Sequence, residues 1–380
     1  MMSRVVEGNK VPLYRQLATT MMQRIRTSDY RPGEALPSIR TISSEFNVSV
    51  NVVQRAIREL ESKGMVLTQH GKQVLVAESK RAGQAAIVFG MIHPYAGGMV
   101  FGRDVLYFAG QTFSGRNNLL FTVSSDGSTA RERELAEHVV ANGARGLLLW
   151  PVESDLNVAF FENLARRIPI VLVDRLIPGS KLPAVVHDTQ AAGRDIAEQF
   201  FNRMKRRRLL VLVDDLDISP YQSLLHGLRT HADELGRFTD LTTIQLPISK
   251  AVAQFNQSNF SMVSQFTQYI ERLVREDDYD GLFCYQDDFL DYIVIETGLS
   301  DRLPGLQLGC TNSGGLNTRS RRFQESRPVT WTIDHMGAIS LAADRLQNWV
   351  LSKKPFDGVI ELELKRCDPV QTPARPLSPF

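Results

Sequence analysis

Residues 36–64 read LPSIRTISSEFNVSVNVVQRAIRELESKG, and this stretch decides the fold of the amino-terminal part of the chain. Ser38 stands where a helix N-cap belongs, and Ile39, Ile42 and Phe46 then share one face of a short helix. Asn47-Val48 is a tight connection, and Ser49 offers a second cap. From Val50 to Lys63 the spacing predicts another helix with Val52, Val53, Ala56, Ile57 and Leu60 inward and Val50, Asn51, Gln54, Arg55 and Arg58 elsewhere. Gly64 can end it in the left-handed conformation.

Upstream, Leu13, Leu17, Met21 and Ile25 recur at helical spacing until Tyr30-Arg31-Pro32-Gly33 breaks the pattern. Downstream, Met65–Thr68 and Val74–Ala77 flank Gln69-His70-Gly71-Lys72, which reads as a hairpin with a polar tip. Helix, helix, tight turn, helix, hairpin is the layout of a winged helix-turn-helix. A helix fits the major groove, its first exposed side chains reach base edges, and its terminal amides meet phosphate. Charge agrees: residues 1–84 hold 13 Lys+Arg against 7 Asp+Glu, and the remainder holds 31 against 35. A basic segment joined to a mildly acidic one suits a polyanionic partner.

The motifs Val11-Pro12-Leu13-Tyr14, Arg31-Pro32-Gly33, Leu36-Pro37-Ser38-Ile39-Arg40, Val48-Ser49, the run Arg55 to Glu61 and Lys63-Gly64 occur in order. They resemble the DNA-binding domain of the GntR family. The resemblance implies that Arg40 binds phosphate and that Ser49, Asn51 and Gln54 lie at the base-reading end of the third helix. By the winged geometry His70 and Lys72 can meet the backbone or minor groove beside it, and Arg55 is a further candidate contact. The bland alternatives are a solvated helix residue for Arg40 and Arg55, and a turn residue for His70. Val50 stands where the family usually has Arg, and Gln73 where its wing usually has Gly. Val50 can instead meet a thymine methyl.

The 380 residues, 43% hydrophobic and 23% charged, suffice for further domains. No stretch of 18 residues is free of strongly polar groups, the first thirty residues carry no secretory pattern, and mean hydropathy is −0.16. The expectation is a cytoplasmic protein without a membrane span. Cys284, Cys310 and Cys367 fit neither a disulfide framework nor a zinc ribbon. The expected division is a winged helix-turn-helix at 1–77, a linker at 78–84, a two-lobed domain at 85–370 and a Pro-rich disordered tail at 371–380.

Beyond residue 85, apolar runs alternate with helical patterns. The runs are Ala86–Ile92, Leu119–Val123, Gly146–Trp150, Ile170–Val173, Ala184–Val186, Leu209–Val213, Thr243–Leu246, Gly281–Cys284 and Leu306–Gly309. The helical patterns are Arg131–Asn142, Ala191–Arg203, Tyr221–Leu235, Phe260–Glu276 and Phe289–Thr297. This predicts an α/β protein with parallel sheets covered on both faces. Ligands of such sheets bind at the carboxyl ends of the strands. Those ends carry His93 with Tyr95, Ser124 to Asp126, Trp150, Asp174-Arg175, His187-Asp188, Asp214-Asp215, Gln286-Asp287, Thr311-Asn312 and Trp331 through Asp334. Carboxylates, amides and aromatic faces together suit a sugar or similar polyol.

Val171 to Arg175, Arg131 to Glu134, Arg145 to Leu149, Val186-His187-Asp188, His226-Gly227-Leu228, Asp280 to Phe283 with Gln286-Asp287, and Met336-Gly337 resemble anchors of the sugar-sensing domain of LacI/GalR-type repressors. The resemblance implies a two-lobed, periplasmic-binding-protein-like fold over 85–370. It implies ligand contacts at His93, Asp126, Trp150, Arg175, Gln286, Asn312 and Asp334, with Tyr221 and Trp331 as further candidates. Gln222 replaces a frequent Arg, and Thr311-Asn312 stands where an Asp often ends the strand. The competing readings are a core aromatic for Trp150 and Trp331, a structural ion pair for Arg175 and a helix cap for Asp188. Lys205 to Arg208 reads as a solvated turn.

No G-x-S-x-G, P-loop or H-E-x-x-H motif is present. GntR-type heads also occur fused to pyridoxal-phosphate enzymes, but no lysine after Lys80 falls at a strand end. The chain therefore reads as a non-enzymatic, ligand-responsive transcription regulator, a repressor by expectation, without cofactor or metal. Its expected partners are a pseudo-palindromic DNA operator, a sugar effector and a second copy in a homodimer. The alternative is a ligand-binding protein whose head has lost specific DNA recognition.

Overall fold

The structure, a computed structural model, describes residues 12–26, 30, 33–62, 65–68, 73–76, 86–94, 100–153, 155–292, 298–312 and 319–367. The chain divides into two units, Met1–Ala86 and Ile87–Phe380. The expected linker at 78–84, the tail at 371–380, Gly64, Tyr95 and the wing residues His70 and Lys72 lie outside the described residues.

The smaller unit contains α1 (Leu13–Arg26), α2 (Ile39–Phe46), α3 (Val50–Ser62), β1 (Val66–Thr68) and β2 (Val74–Val76). Ser38 caps α2 by accepting from the Thr41 N–H at 3.1 Å. Asn47 takes a left-handed φ of 50°, and its N–H donates to the last carbonyls of α2, so the chain turns sharply into α3. Leu17, Met21, Ile42, Val53, Ala56 and Leu60 are fully buried. Each of the larger ones contributes about 1.5–3 kcal/mol of burial. The strands pair antiparallel with Val66 opposite Val76, and Ala35 bridges to Leu75 on the hairpin's other side. This is the winged helix-turn-helix that the sequence implied.

The larger unit begins with β3 (Val88–His93), α4 (Val100–Ser114), β4 (Leu119–Ser124), α5 (Thr129–Ala141), β5 (Leu147–Leu149), α6 (Val158–Ala165), β6 (Ile170–Asp174) and β7 (Ala184–His187). It continues with α7 (Thr189–Ala197), β8 (Leu209–Asp214), α8 (Ser219–Glu234), β9 (Leu241–Leu246), α9 (Ile248–Asn256), α10 (Ser261–Glu276), β10 (Gly281–Cys284) and the single turn α11 (Asp287–Phe289). It ends with α12 (Leu299–Arg302), β11 (Gln307–Asn312), α13 (Arg321–Ser326), β12 (Val329–Thr332), α14 (His335–Ser352), β13 (Val359–Leu362) and β14 (Lys365–Cys367).

Two six-stranded sheets result. One has the order β13-β7-β6-β5-β3-β4 and is parallel throughout; the other has the order β14-β12-β11-β10-β8-β9 and is parallel except for β14. Their buried strands, such as Leu209–Asp214, are apolar along nearly their whole length because helices cover both faces. Each sheet belongs to one lobe. The chain passes between lobes three times: at Asp188 between β7 and α7, at Ile333-Asp334 between β12 and α14, and at Glu363-Leu364 between β13 and β14.

Helices α7 and α8 meet at two glycines. A Cβ on Gly193 would lie 2.1 Å from the Leu224 carbonyl oxygen, and one on Gly227 would lie 2.0 Å from that of Gln190. Only hydrogen side chains permit this backbone approach.

Some expectations need correction. Strands β12, β13 and β14 were absent from the sequence reading, and Trp331 lies inside β12 rather than past a strand end. The expected helix Phe289–Thr297 begins as the turn α11, and residues 293–297 lie outside the described residues. The pattern Ala191–Arg203 is α7 followed by a π-helical turn over Glu198–Arg203. Lys205 to Arg208 does form the expected turn, in which Arg207 pairs with Asp278 at 2.9 Å and Arg208 lies over the Tyr279 ring.

Candidate functional site

A cavity of about 500 Å³ opens between the carboxyl ends of the two sheets. The first lobe contributes Pro94, Gly127, Val152, Glu153, Asp174 and Arg175; the second contributes Leu216 to Ile218, Pro220, Tyr221, Ser249, Tyr285 to Asp288 and Thr311. Ile333 and His335, at the second crossing, complete the wall.

Asp174 ends β6 with a left-handed φ of 68°, which sets its carboxylate in the hinge corner. His335 Nδ1 lies 3.1 Å from its Oδ1, His187 Nδ1 lies 3.8 Å from the same oxygen, and Arg175 Nε lies 3.8 Å from Oδ2. Burial alone would push this carboxyl up, but His335, His187 and Arg175 together hold it well below the ordinary carboxylate range. Arg175 also donates to the Pro151 carbonyl at 3.4 Å.

Glu153 follows β5 by a short turn that Glu132 holds in place. The buried Glu132 carboxylate accepts from the Val152 N–H and from Asn157 Nδ2, each at 2.7 Å. Glu153 then accepts from the Ser219 N–H at 2.6 Å, while the Ser219 hydroxyl accepts from the Leu176 N–H at 3.1 Å. Ser219 opens α8 in the second lobe, so these two bonds join the lobes across the cleft. Burial raises the Glu153 carboxyl to about 7, against the opposing hydrogen bonds from Ser219 and the charge of Arg175.

On the opposite wall, Gln286 Nε2 donates to the Tyr221 hydroxyl at 3.3 Å and to Ser249 Oγ at 3.4 Å. Tyr221 and Tyr285 meet edge to face at 4.5 Å, giving an aromatic surface. Asp214, raised to about 6 mainly by burial, accepts from the Ser249 backbone and hydroxyl and so places that residue. Asp287 is 2% exposed and receives a bidentate pair from Arg319 at 2.9 and 3.0 Å. Burial nonetheless raises Asp287 to about 6, with Arg319 opposing.

Of the residues expected to hold a ligand, the structure brings Arg175, Tyr221 and Gln286 together in the cleft wall. The others sit elsewhere. Trp150 is fully buried and stacks on His335 with centroids 5.5 Å apart, so it supports the wall from behind. Trp331 is a core residue of the second lobe whose indole donates to Asp195 at 2.8 Å. Asp334 caps α14 by accepting from the Gly337 N–H. Asp126 lies at the exposed rim beside Gly127 and pairs with Arg131 at 3.3 Å. His93 and Asn312 are buried beside the lining residues Pro94 and Thr311. Asp188 caps α7, accepting from the Ala191 N–H. Sequence reasoning missed Glu153, Ser249 and His335; Glu153 lies three residues beyond Trp150 and His335 one beyond Asp334, so extending those two strand-end readings reaches both.

In the smaller unit, Ser49 accepts from the Val52 N–H at 3.4 Å and caps α3. Val50, Asn51, Gln54 and Arg55 are exposed on its first two turns, as is Arg40 on α2. The Arg55 guanidinium lies 4.3 Å from the Tyr14 ring centroid, so it is braced against α1.

Comparison with known proteins fits these two structures. Residues 13–76 match the family model of bacterial regulatory proteins, gntR family. The arabinose metabolism transcriptional repressor of Geobacillus stearothermophilus is 23% identical over 226 residues, which cover 58% of this chain and 62% of that protein. The Exu regulon transcriptional regulator of Escherichia coli K12 is 41% identical over 75 residues, covering 20% of this chain and 29% of that one. The chain thus spans less than two thirds of the length of these curated relatives. Among solved structures, the Caulobacter myo-inositol binding protein superposes with a TM-score of 0.62 at 16% identity, covering 75% of this chain and 93% of its own. The Cra transcriptional dual regulator of Pseudomonas putida, solved with fructose 1-phosphate, superposes with a TM-score of 0.59 at 16% identity, covering 74% and 98%.

The class is therefore that of a gntR-type helix-turn-helix joined to a bilobed α/β unit. Residues 13–76 form the gntR-type domain, and the larger unit has the fold shared by LacI-type regulators and periplasmic binding proteins. Among the described residues no helix is long and apolar enough to cross a membrane.

Proposed function

We propose that this chain is a cytoplasmic transcription repressor whose hold on operator DNA is set by a small ligand in the cleft. The cleft is the observation that carries this reading: about 500 Å³ lined by tyrosines, an amide, a serine and carboxylates at strand ends. That volume suits a monosaccharide-sized molecule, and the donors and acceptors suit hydroxyl groups. The lining also has a sign. Five carboxyl groups, Glu153, Asp174, Asp217, Asp287 and Asp288, line the cleft against one guanidinium in its wall, Arg175, while Arg319 pairs with Asp287. An acidic lining favours an uncharged polyol over a phosphorylated or carboxylated one. The arabinose repressor among the relatives makes a neutral pentose the first candidate.

Exposed Asn51 and Gln54 on α3 then read base edges, Ser49 and Arg40 meet phosphate, and two copies engage a pseudo-palindromic site. The ligand acts through its differential affinity for two lobe angles, typically about 1–3 kcal/mol of coupling. No catalytic step enters this reading.

The test measures binding of the full chain to DNA from its own promoter region by fluorescence anisotropy, over a salt series, with and without neutral sugars and sugar phosphates. We expect steep salt dependence and a change in affinity with a neutral sugar. Salt-insensitive binding would favour a ligand receptor whose head has lost DNA recognition, a reading to which the exposed Val50 at the start of α3 lends some support. A response confined to sugar phosphates would overturn the assignment of ligand class. Arg175→Ala should abolish the ligand response while DNA binding persists; a normal response would remove Arg175 from recognition.

A further inference from the structure

We propose that Asp174, His187 and His335 bind one divalent transition-metal ion of the zinc type at the hinge between the lobes. The three side chains offer one carboxylate oxygen and two imidazole nitrogens, all within 4.8 Å of one another. His335 Nδ1 and His187 Nδ1 approach the same oxygen, Asp174 Oδ1, at 3.1 and 3.8 Å. Four ligands around a tetrahedral zinc ion at ~2.0–2.1 Å stand roughly 3.3 Å from each other, and the two observed separations bracket that value. Small movements of side chains already in place would complete the shell.

A second observation points the same way. The His187 side chain is 3% exposed, and neither of its ring nitrogens has a hydrogen-bond partner among the described residues. A buried imidazole with both nitrogens unmatched is unfavourable, and bonding one of them to an ion removes much of that cost. Arg175 leaves room for the ion because its Nε faces Oδ2, not Oδ1. Trp150, stacked on the His335 ring, limits that ligand's movement.

Two imidazoles and one carboxylate leave at least one coordination position open. Asp174 and His335 line the cleft, so that position is accessible to water or to a ligand hydroxyl. His187 immediately precedes the first crossing between lobes, and His335 immediately follows the second. An ion held by both would therefore fix the relation of two crossings, making the metal a co-regulator of lobe angle. Metal binding itself does not depend on the function proposed above.

The experiment uses the full chain, stripped with chelator and dialysed, titrated with Zn²⁺ by calorimetry and with Co²⁺ by visible absorption. The expected result is one equivalent bound, Co²⁺ bands of a low-symmetry nitrogen and oxygen site, and a higher thermal midpoint. Loss of an outer hydrogen-bond partner of a metal site costs about 10–100-fold in affinity, so removing a ligand in His187→Ala or His335→Gln should cost roughly 100-fold or more. The exposed His138→Ala should leave the titration unchanged. Absence of a stoichiometric site in the native chain overturns the proposal. So does retention of the site in both variants. If His187→Ala fails to fold, His335→Gln and Asp174→Asn decide alone, judged by the Co²⁺ spectrum of chains with native circular dichroism.

Discussion

The helix-turn-helix and the cleft handle polar groups in opposite ways. On α2 and α3, Arg40, Asn51 and Gln54 are exposed, while the core beneath is Leu17, Ile42, Val53 and Leu60. In the cleft the polar groups are part of the packed structure: Asp287 is 2% exposed and held by Arg319, and Asp174 sits among two imidazoles and a guanidinium. Recognition and stability are therefore separable in the smaller unit and joined in the larger one. Desolvated charges that lose a partner destabilise strongly, whereas exposed ones scarcely register.

Four substitutions test that contrast, in decreasing order of effect. Gly227→Ala forces a Cβ to within 2.0 Å of the Gln190 carbonyl oxygen, where no side-chain rotation helps. It should destabilise the larger unit by about 4 kcal/mol or more, while leaving the smaller unit's helicity unchanged. Thermal unfolding followed by calorimetry checks this, and a shift of under a degree would show that α7 and α8 are more loosely packed than described. Arg319→Ala should cost about 3 kcal/mol by denaturant titration, because Asp287 is left buried without its cation. The loss should shrink at pH 5, since Asp287, already raised to about 6, then takes up a proton.

Glu153→Gln should stabilise. In the native chain the carboxyl moves from an ordinary 4.5 to about 7 on burial, so the folded state binds a proton more tightly than the unfolded one. The contribution is fully present below 4.5 and lost as pH rises through about 7. The amide variant should gain about 2 kcal/mol at pH 8, a figure reduced for partial exposure, and should lose the slope between pH 5 and 7. An unchanged slope would place the titrating group elsewhere. Arg40→Ala should leave the melting temperature within about a degree and reduce the salt slope of DNA binding by about 0.9, one phosphate contact. A large loss of stability there would break the contrast from the other side.

Most of the fold was legible because helices and buried strands announce themselves locally. Ser38, Asn47 and the apolar face of α3 specify a helix, a turn and a helix within 25 residues. The runs ending at Val173, Val213 and Cys284 read as strands from their own composition, and the first two strands extend one residue further, to Asp174 and Asp214. The cleft was less legible because its members are assigned by distant partners. Trp331 looked like a pocket aromatic, but its indole bonds Asp195, 136 residues away, and lies in the core. Glu153 carries no motif; it matters because Glu132 positions its turn and Ser219 arrives from the other lobe. The edge strands β13 (Val359–Leu362) and β14 (Lys365–Cys367) are only four and three residues long and carry Glu361, Lys365 and Arg366, so they form no continuous apolar run.

The three crossings at Asp188, Ile333-Asp334 and Glu363-Leu364 have a consequence for what the bilobed unit can report. Bodies stitched together by three short threads at one border are restrained from separating, and rotation about that border is the motion left freest. Whatever molecule enters, and however many atoms it presents, its arrival is compressed into one angle. Chemically dissimilar occupants that produce the same angle are then indistinguishable downstream, and selectivity must be achieved entirely at the moment of entry.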